Sequence, residues 1–163
     1  LRADTPLAHA LTSASLSAEV VVTGARVHGS ALYLAANGCQ VTALEPEQDM
    51  VERVLSAAAD EGLDGRVRGF TTPLCQWSPE GPIAALICTP AAFAGLSDIE
   101  RAQVIALLQS ATTDGGVHLV ETIIAGQEAI SEAELRRSYS GWDISFHREP
   151  GVARTFLAKK HSA

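Results

Sequence analysis

The sequence predicts an α/β fold: a mostly parallel seven-stranded sheet with helices on both faces and a C-terminal antiparallel hairpin. Three observations support this prediction. Apolar, β-branched runs alternate with segments of helical periodicity along the chain. Glycine, proline or a helix-capping residue separates these segments. The last two predicted strands are joined by the short turn REPG, residues 148–151, which suits only an antiparallel pair.

Residues 19–46 form the first predicted unit, a strand, a turn, a helix and a second strand. Val20–Val22 is an apolar, β-branched run of the kind that is buried in a parallel sheet. Gly24 follows, where the backbone must turn sharply. Good helix formers occupy 31–36, Asn37-Gly38 ends that helix, and strand character returns at 41–44.

Glu45 follows the second predicted strand directly. In nucleotide-binding folds, an acidic residue about 20 positions after the glycine turn accepts hydrogen bonds from ribose hydroxyls. This spacing predicts a small-molecule, adenosine-like ligand beside Glu45. The other interpretation is that Glu45 is a solvated charge that precedes Pro46 at the start of the next helix.

The rest of the chain alternates in the same way. The predicted elements are a helix over 47–61, strands over 66–70 and 83–88, a helix over 99–109 that follows a Ser97/Glu100 capping box and ends at Asp114–Gly116, a strand over 117–124, a helix over 131–139, and strands over 142–147 and 152–158.

Length and composition indicate one domain over 1–163, in which 1–17 form a short segment that covers an edge of the sheet. The net charge of −7, without a basic stripe, argues against a nucleic-acid partner, and no apolar run is long enough for a membrane span. Cys39, Cys75 and Cys88 are predicted to be buried thiols of a cytoplasmic protein. No histidine has metal-ligand spacing, so no metal is expected.

Four segments resemble the class I S-adenosylmethionine-dependent methyltransferases, and within them the tellurite-resistance group. They are SALYLAANG, VTALEP, AELRRSYSGW and FLAKK, and the resemblance extends over roughly residues 19–160. It implies a Rossmann-like fold and S-adenosylmethionine as the cofactor. The cofactor-binding positions that it implies lie after the first four strands: Gly24, Ala25, Arg26, His28, Gly29, Glu45, Pro46, Thr71, Thr72 and Thr89.

The sequence departs from that family at the glycine turn. The family's first strand ends in an acidic residue before a run with three glycines, whereas Val22 takes the acidic position here and Arg26 and His28 replace the second and third glycines. Side chains at glycine positions intrude on a ligand. The Arg26 charge would also repel the cofactor's sulfonium by about 4 kcal/mol at 4 Å and a dielectric of 20. The departures predict that cofactor binding and catalysis are impaired or lost.

Three alternatives stay open. Gly29 could rebuild the turn through a one-residue register change, which would give an active small-molecule methyltransferase. Arg26 and His28 at a helix start would suit an anion, so the fold could instead serve as a nucleotide- or anion-binding module. The run TGARVHG also resembles the turn of short-chain dehydrogenases, but neither Tyr33 nor Tyr139 has the lysine four residues later that this family needs.

Other candidate residues have structural interpretations that we favour. Arg148 and Arg154 could contact an anionic substrate, although solvated turn charges are the preferred interpretation. Arg136 and Arg137 are interpreted as the exposed face of a helix. The remaining candidates are interpreted as packing residues of the core: His118 with a hydrogen-bond partner, Tyr139 and Trp142.

Overall fold

A computed structural model of the chain describes residues 19–25, 27–126, 129–148 and 151–161. The predicted N-terminal covering segment and Arg26 lie outside the described residues. The strands are β1 (Glu19–Thr23), β2 (Gln40–Glu45), β3 (Val67–Thr71), β4 (Ile83–Cys88), β5 (Thr112–Ile123), β6 (Asp143–Arg148) and β7 (Arg154–Lys159). The helices are α1 (Val27–Ala36), α2 (Gln48–Asp60), α3 (Asp98–Ala111) and α4 (Glu132–Ser138), with 3-10 turns at Leu74–Gln76 and Pro90–Phe93.

The seven strands form one sheet in the order β3-β2-β1-β4-β5-β7-β6. Strands β1 to β5 are mutually parallel, whereas β7 runs antiparallel to both β5 and β6. The predicted mostly parallel sheet with an antiparallel C-terminal hairpin is therefore confirmed.

Helices cover both faces of this sheet, as predicted. On one face, Leu34 of α1 and Val54 of α2 pack against the sheet in the first hydrophobic cluster. On the other face, Ile105 of α3 and Leu135 of α4 belong to the second cluster. These four residues are at most 1% exposed, so the sheet is the middle layer of a three-layer domain.

The predicted element bounds are accurate where local signals are strong. Strand β4 has the predicted bounds. The capping box at the start of α3 is confirmed, because the Glu100 N–H donates to Ser97 Oγ at 3.2 Å and the Ser97 N–H donates to Glu100 Oε1 at 3.0 Å. Most other bounds differ by one or two residues, but α1 begins earlier than predicted, at Val27.

The predicted stop at Asp114–Gly116 is wrong. Helix α3 ends at Ala111, and β5 begins at Thr112 and continues through the glycines. A Cβ at Gly116 would collide with the Thr112 side chain and lie 2.9 Å from the Ala84 carbonyl oxygen. Gly116 is thus required by the close approach of β4 to β5 rather than by a helix end.

The cysteine prediction is partly wrong. Cys39 and Cys88 are buried as predicted, but Cys75 is exposed. Cys75 lies in the 3-10 turn at 74–76, where Leu74 takes the inward position at 2% exposure. The neighbouring Cys75 side chain faces solvent as a result.

His118 is confirmed as a core histidine with hydrogen-bond partners on both ring nitrogens. Its Nε2 lies 2.8 Å from Thr112 Oγ1 and its Nδ1 lies 2.5 Å from the Tyr139 hydroxyl. The Thr112 hydroxyl donates its one proton to the Leu108 carbonyl oxygen at 2.7 Å, so it must accept from His118 Nε2–H. Tyr139 then donates to Nδ1. We call Tyr139, His118 and Thr112 the His118 chain.

Aromatic packing surrounds the His118 chain. The Trp142 ring lies 4.9 Å from the His118 ring and 5.2 Å from the Tyr139 ring, centroid to centroid. Tyr139 is 1% exposed, so the predicted packing roles of Tyr139 and Trp142 are confirmed. Within the part of the chain that the structure describes, no helix is both long and apolar enough to cross a membrane.

Candidate functional site

The strand registers bring one residue from each of five neighbouring strands into a row at the carboxyl ends of the parallel strands. Glu45 pairs with Thr71. One residue before the row, Thr23 pairs with Leu44 and Cys88 pairs with Val120. The next residue of each strand therefore completes what we call the carboxyl-edge row: Thr71, Glu45, Gly24, Thr89 and Glu121.

The centre of this row is the switch point of the sheet. From β1, the chain continues to β2 and β3 on one side of β1. It then crosses to the other side of β1, where β4 and β5 lie. In open α/β sheets, ligands bind outside the carboxyl ends of the strands at such a point. Strands are about 4.8 Å apart, so the row spans about 19 Å, which is enough for a nucleoside-sized molecule.

Gly24 and Thr89 form the closest contact at the switch point. Gly24 has a φ of +93°, and a Cβ there would lie 2.6 Å from Thr89 Oγ1. The Ala25 N–H donates to Thr89 Oγ1 at 2.8 Å. Thr89, which is 4% exposed, therefore holds the β1–α1 turn in place. The conformation and the contact both require glycine at position 24.

Glu45 is a buried carboxylate at the end of β2, with 7% of its surface exposed. Burial raises its pKa, and the negative charge of Glu47 adds to this increase. Among the described residues, no side chain donates a hydrogen bond to the Glu45 carboxylate. The interpretation of Glu45 as a solvated charge at the start of a helix is wrong, because Glu45 is the last residue of β2 and only 7% exposed.

The residues after β2 and β3 differ in how accessible they are to a ligand. Thr71 is exposed beside Glu45, and Pro46 is exposed as well. Thr72 is half-buried, and its hydroxyl donates to the Pro73 carbonyl oxygen at 3.2 Å. Its N–H donates to the Glu45 carbonyl oxygen at 2.9 Å, so Thr72 fixes the loop beside the row. Of the two threonines, Thr71 has the more accessible hydroxyl.

The first turn of α1 borders the row. Ala25, His28 and Gly29 are exposed, and a Cβ added at Gly29 would meet open space. The first turn of α1 contains no acidic residue. Val22, which stands at the family's acidic position, is 1% exposed in the hydrophobic core. The end of β1 thus offers no carboxylate to a ligand.

Glu121 is the member of the row that sequence reasoning did not single out. It is 8% exposed near the end of β5. Burial, and secondarily the negative charge of Glu121, raise the pKa of the Cys88 thiol, so the carboxylate lies near the end of β4. The sequence contains a signal for Glu121, because a single acidic residue interrupts the apolar run over 117–124.

Two of the arginine candidates, Arg136 and Arg154, contact side chains of the C-terminal hairpin and α4. Arg154 lies in β7 rather than in a turn, and its Nη1 is 2.9 Å from Glu132 Oε1. Its Cζ lies 4.8 Å from the Phe146 ring centroid, and Arg136 Cζ lies 4.4 Å from the same centroid. Arg148 is exposed at the end of β6. Arg154 therefore has a structural role in addition to being partly solvated.

Metal-ligating residues do not cluster in the regions covered by the structure. No group of three or more His, Cys, Asp or Glu side chains that could hold a metal ion is present among the described residues.

Sequence comparisons find no family model and no curated protein that matches the chain. Comparison of structures finds many matches. The chain superposes on TehB from Haemophilus influenzae with a TM-score of 0.78 and 17% identity, covering 98% of this chain and 62% of TehB. It superposes on magnesium protoporphyrin IX methyltransferase (ChlM) from Synechocystis PCC 6803 with bound SAM with a TM-score of 0.73 and 18% identity, covering 94% and 76% of the two chains.

A third similar structure is the N-methyltransferase NodS from Bradyrhizobium japonicum WM9 in complex with S-adenosyl-L-homocysteine, with a TM-score of 0.74, 12% identity, and coverage of 96% and 84%. The chain has the fold of the class I S-adenosylmethionine-dependent methyltransferases. These identities show the fold alone. The chain also spans less than two thirds of the length of TehB.

Proposed function

We propose that this chain is a methyltransferase-fold protein in which binding of S-adenosylmethionine, and with it methyl transfer, is impaired or lost. The site is the carboxyl-edge row, and its ligand is an adenosine-like small molecule. The similarity to methyltransferase structures supports the fold and the location of the site. The residue at the end of β1, Val22, supports the proposal that cofactor binding is impaired.

The burial of Val22 is the observation that carries this proposal. The resemblance implies an acidic residue at this position, and S-adenosylmethionine carries a positive charge on its sulfonium. Val22 is a core residue with 1% exposure, so it supplies neither a negative charge nor a hydrogen-bond acceptor. The half of the site formed by the end of β1 does not fit the cofactor, and we derive no step of methyl transfer.

The half of the site at β2 and β3 does fit an adenosine group. Glu45 is a buried carboxylate without a donor side chain among the described residues, and Thr71 presents an exposed hydroxyl next to it. A carboxylate in this position would accept hydrogen bonds from two ribose hydroxyls. We therefore expect ligands that contain a ribose to bind more tightly than the corresponding bases.

A nucleotide- or anion-binding module is the second candidate function. The observation that favours it is the first turn of α1, which has no acidic residue and an exposed His28. Backbone N–H groups at a helix start already favour negative charge. This candidate predicts that a nucleoside phosphate binds more tightly than S-adenosylmethionine.

An active methyltransferase with a rebuilt turn is the third candidate. Glu121 favours it, because a second buried carboxylate in the carboxyl-edge row would attract a cationic ligand. The resemblance to the tellurite-resistance group would make a small soft nucleophile or an oxyanion the methyl acceptor in that case.

Isothermal titration of the purified chain with S-adenosylmethionine, S-adenosylhomocysteine and ATP separates these candidates. The proposal predicts that S-adenosylmethionine binds no more tightly than millimolar. Micromolar binding of S-adenosylmethionine would contradict it and support the rebuilt turn. Tighter binding of ATP than of S-adenosylhomocysteine would support the nucleotide module. A Glu45→Gln control establishes whether any measured binding uses the proposed ribose site.

A further inference from the structure

Strand β6 forms one edge of the sheet, and no other described strand pairs with its outer side. All six residues of β6, Asp143–Arg148, pair with β7 without a register shift. Among the described residues, no hydrogen bond from a loop or turn reaches the backbone of β6. One row of its backbone N–H and C=O groups therefore has no partner among the described residues and is available to pair with another strand.

Several of the devices that protect an edge strand are missing from β6. Proteins discourage edge pairing with a proline, a bulge or a lysine in the edge strand. The sequence DISFHR contains neither proline nor lysine, and its pairing with β7 shows no bulge. The charged residues of β6, Asp143 and Arg148, are at its two ends.

Geometry restricts how two copies of β6 can pair. Antiparallel edges related by a twofold axis perpendicular to the sheet keep each side chain on its own face. Side chains alternate between faces along a strand, so a residue can face only a residue an even number of positions away. Within this rule, Ser145 or Phe146 can lie on the axis near the middle of β6.

The register with Ser145 on the axis is complementary. It places Asp143 opposite His147 of the second copy, and Ile144 opposite Phe146 of the second copy, so a negative residue meets a basic one and apolar residues meet each other. The register with Phe146 on the axis would pair Phe146 with Phe146 and Ser145 with His147. It would also place Ile144 opposite Arg148 and leave Asp143 opposite position 149, beyond the end of β6. Complementarity thus selects the Ser145 register.

The polar side chains of β6 can rearrange for this pairing. Asp143 is 69% exposed, and its contact with His161 is long, at 3.3 Å between Oδ1 and Nε2. His147 Nε2 lies 2.9 Å from Ser145 Oγ on the same face of the strand. The Asp143 contact lies at the surface, where exchanging one polar partner for another changes the free energy little, whereas the Ser145–His147 contact is partly buried.

We propose that β6 pairs antiparallel with β6 of a second copy of this chain, in the Ser145 register, and joins the two sheets into one continuous sheet. A single six-residue strand pair buries much less than the roughly 1,200 Å² of a stable interface. The association is therefore weak and depends on protein concentration. It is independent of the proposed ligand site, which lies at the carboxyl ends of the central strands.

Cysteine cross-linking tests the register. The background is Cys75→Ser, because Cys75 is the exposed cysteine while Cys39 and Cys88 are buried. Ser145→Cys places two cysteines opposite each other, with Cα atoms about 4.5–5.5 Å apart, and we expect a covalent dimer under mild oxidation. In the matched control His147→Cys, the two cysteines are about 13 Å apart and should not cross-link.

Sedimentation at increasing protein concentration provides a second measurement without new cysteines. The unmodified chain should show a rising dimer fraction. Ser145→Lys places two positive charges opposite each other and should abolish the dimer, whereas Ser145→Thr should retain it. Equal cross-linking of the two cysteine variants, or a purely monomeric chain up to several hundred micromolar, would overturn the proposal.

Discussion

Two regions of this domain bury polar side chains, and they do so in opposite ways. In the His118 chain, every polar group has a partner: Tyr139 donates to His118, His118 donates to Thr112, and Thr112 donates to the Leu108 carbonyl oxygen. In the carboxyl-edge row, the Glu45 carboxylate is buried, but no described side chain donates to it. The polar groups of the His118 chain are all hydrogen-bonded, whereas the Glu45 carboxylate has no donor side chain among the described residues.

This difference separates a structural role from a binding role. Buried polar groups in folded proteins are nearly always hydrogen-bonded, because an unmade hydrogen bond destabilises the fold. The His118 chain follows this rule and connects β5, the end of α3 and the residue after α4. Glu45 has no donor side chain among the described residues, and burial raises the pKa of its carboxyl group. This is the property that makes Glu45 a candidate to accept hydrogen bonds from the ligand proposed above.

Removing the centre of the His118 chain should have the largest effect on stability. His118→Ala leaves a cavity and an unpaired buried Tyr139 hydroxyl, and should lower the free energy of unfolding by about 3–5 kcal/mol in urea titrations. Tyr139→Phe removes one hydroxyl only and should cost about 1–3 kcal/mol. A loss below about 1 kcal/mol for His118→Ala would show that the chain does not stabilise the fold.

Acidification should weaken the same region. Burial, and secondarily the positive charge of Lys160, lower the pKa of His118 to about 3. An unfolded histidine has a pKa of about 6.5, so below that pH the unfolded state binds a proton that the folded state does not. The stabilisation is complete above pH 6.5 and falls by up to about 1.4 kcal/mol per pH unit as the pH decreases toward 3.

Urea unfolding at pH 7, 6 and 5 measures this dependence, with His118→Leu as the control. Carboxylates also titrate as the pH falls, so the relevant quantity is the difference between the two proteins. We expect the unmodified chain to lose about 2 kcal/mol more than His118→Leu between pH 7 and 5. Parallel pH profiles would show that His118 is not the group responsible.

The sequence predicts the fold well where the signals are local. The bounds of β4 follow from its flanking Pro82 and Thr89-Pro90, and the capping box of α3 follows from the Ser97/Glu100 spacing. The start of β5 could not be predicted in this way. Gly116 lies inside β5, and a glycine is needed there because the Ala84 carbonyl oxygen approaches closely. That contact depends on the tertiary structure.

The candidate site also contains residues that local sequence signals predict and residues that only the tertiary structure brings in. Gly24 and Glu45 are predictable because a strand, a turn and a second strand place them at a characteristic spacing. Glu121 joins the site only through the pairing of Cys88 with Val120, and no spacing in the sequence specifies the register between β4 and β5. The Thr89 contact with Ala25 spans 64 residues and has no local signature either.

Substitution of Thr89 tests whether the carboxyl-edge row depends on the hydrogen bond between the Ala25 N–H and Thr89 Oγ1. Thr89→Val keeps the shape of the side chain but leaves the Ala25 N–H without its acceptor, which should cost about 1–2 kcal/mol of unfolding free energy. It should also weaken the binding of whichever nucleoside ligand the titrations identify. Thr89→Ser retains the hydroxyl and should restore both properties. Equal behaviour of the two variants would assign Thr89 a packing role only.

Glu45→Gln should have the smallest effect on stability, and in the opposite direction. Because burial raises the pKa of Glu45, the ionised carboxylate at neutral pH destabilises the fold, and a neutral amide of the same shape removes that penalty. We expect the midpoint of thermal unfolding to be unchanged or higher, by less than about 1 kcal/mol in free energy. Ribose-containing ligands should bind at least about tenfold more weakly, because the negative charge is lost and one of the two acceptor oxygens becomes an N–H₂ donor. Thermal unfolding and isothermal titration of one preparation measure both quantities. A variant that is destabilised yet binds ligand normally would contradict the proposed binding role. It would show that the Glu45 carboxylate stabilises the fold, as the polar groups of the His118 chain do.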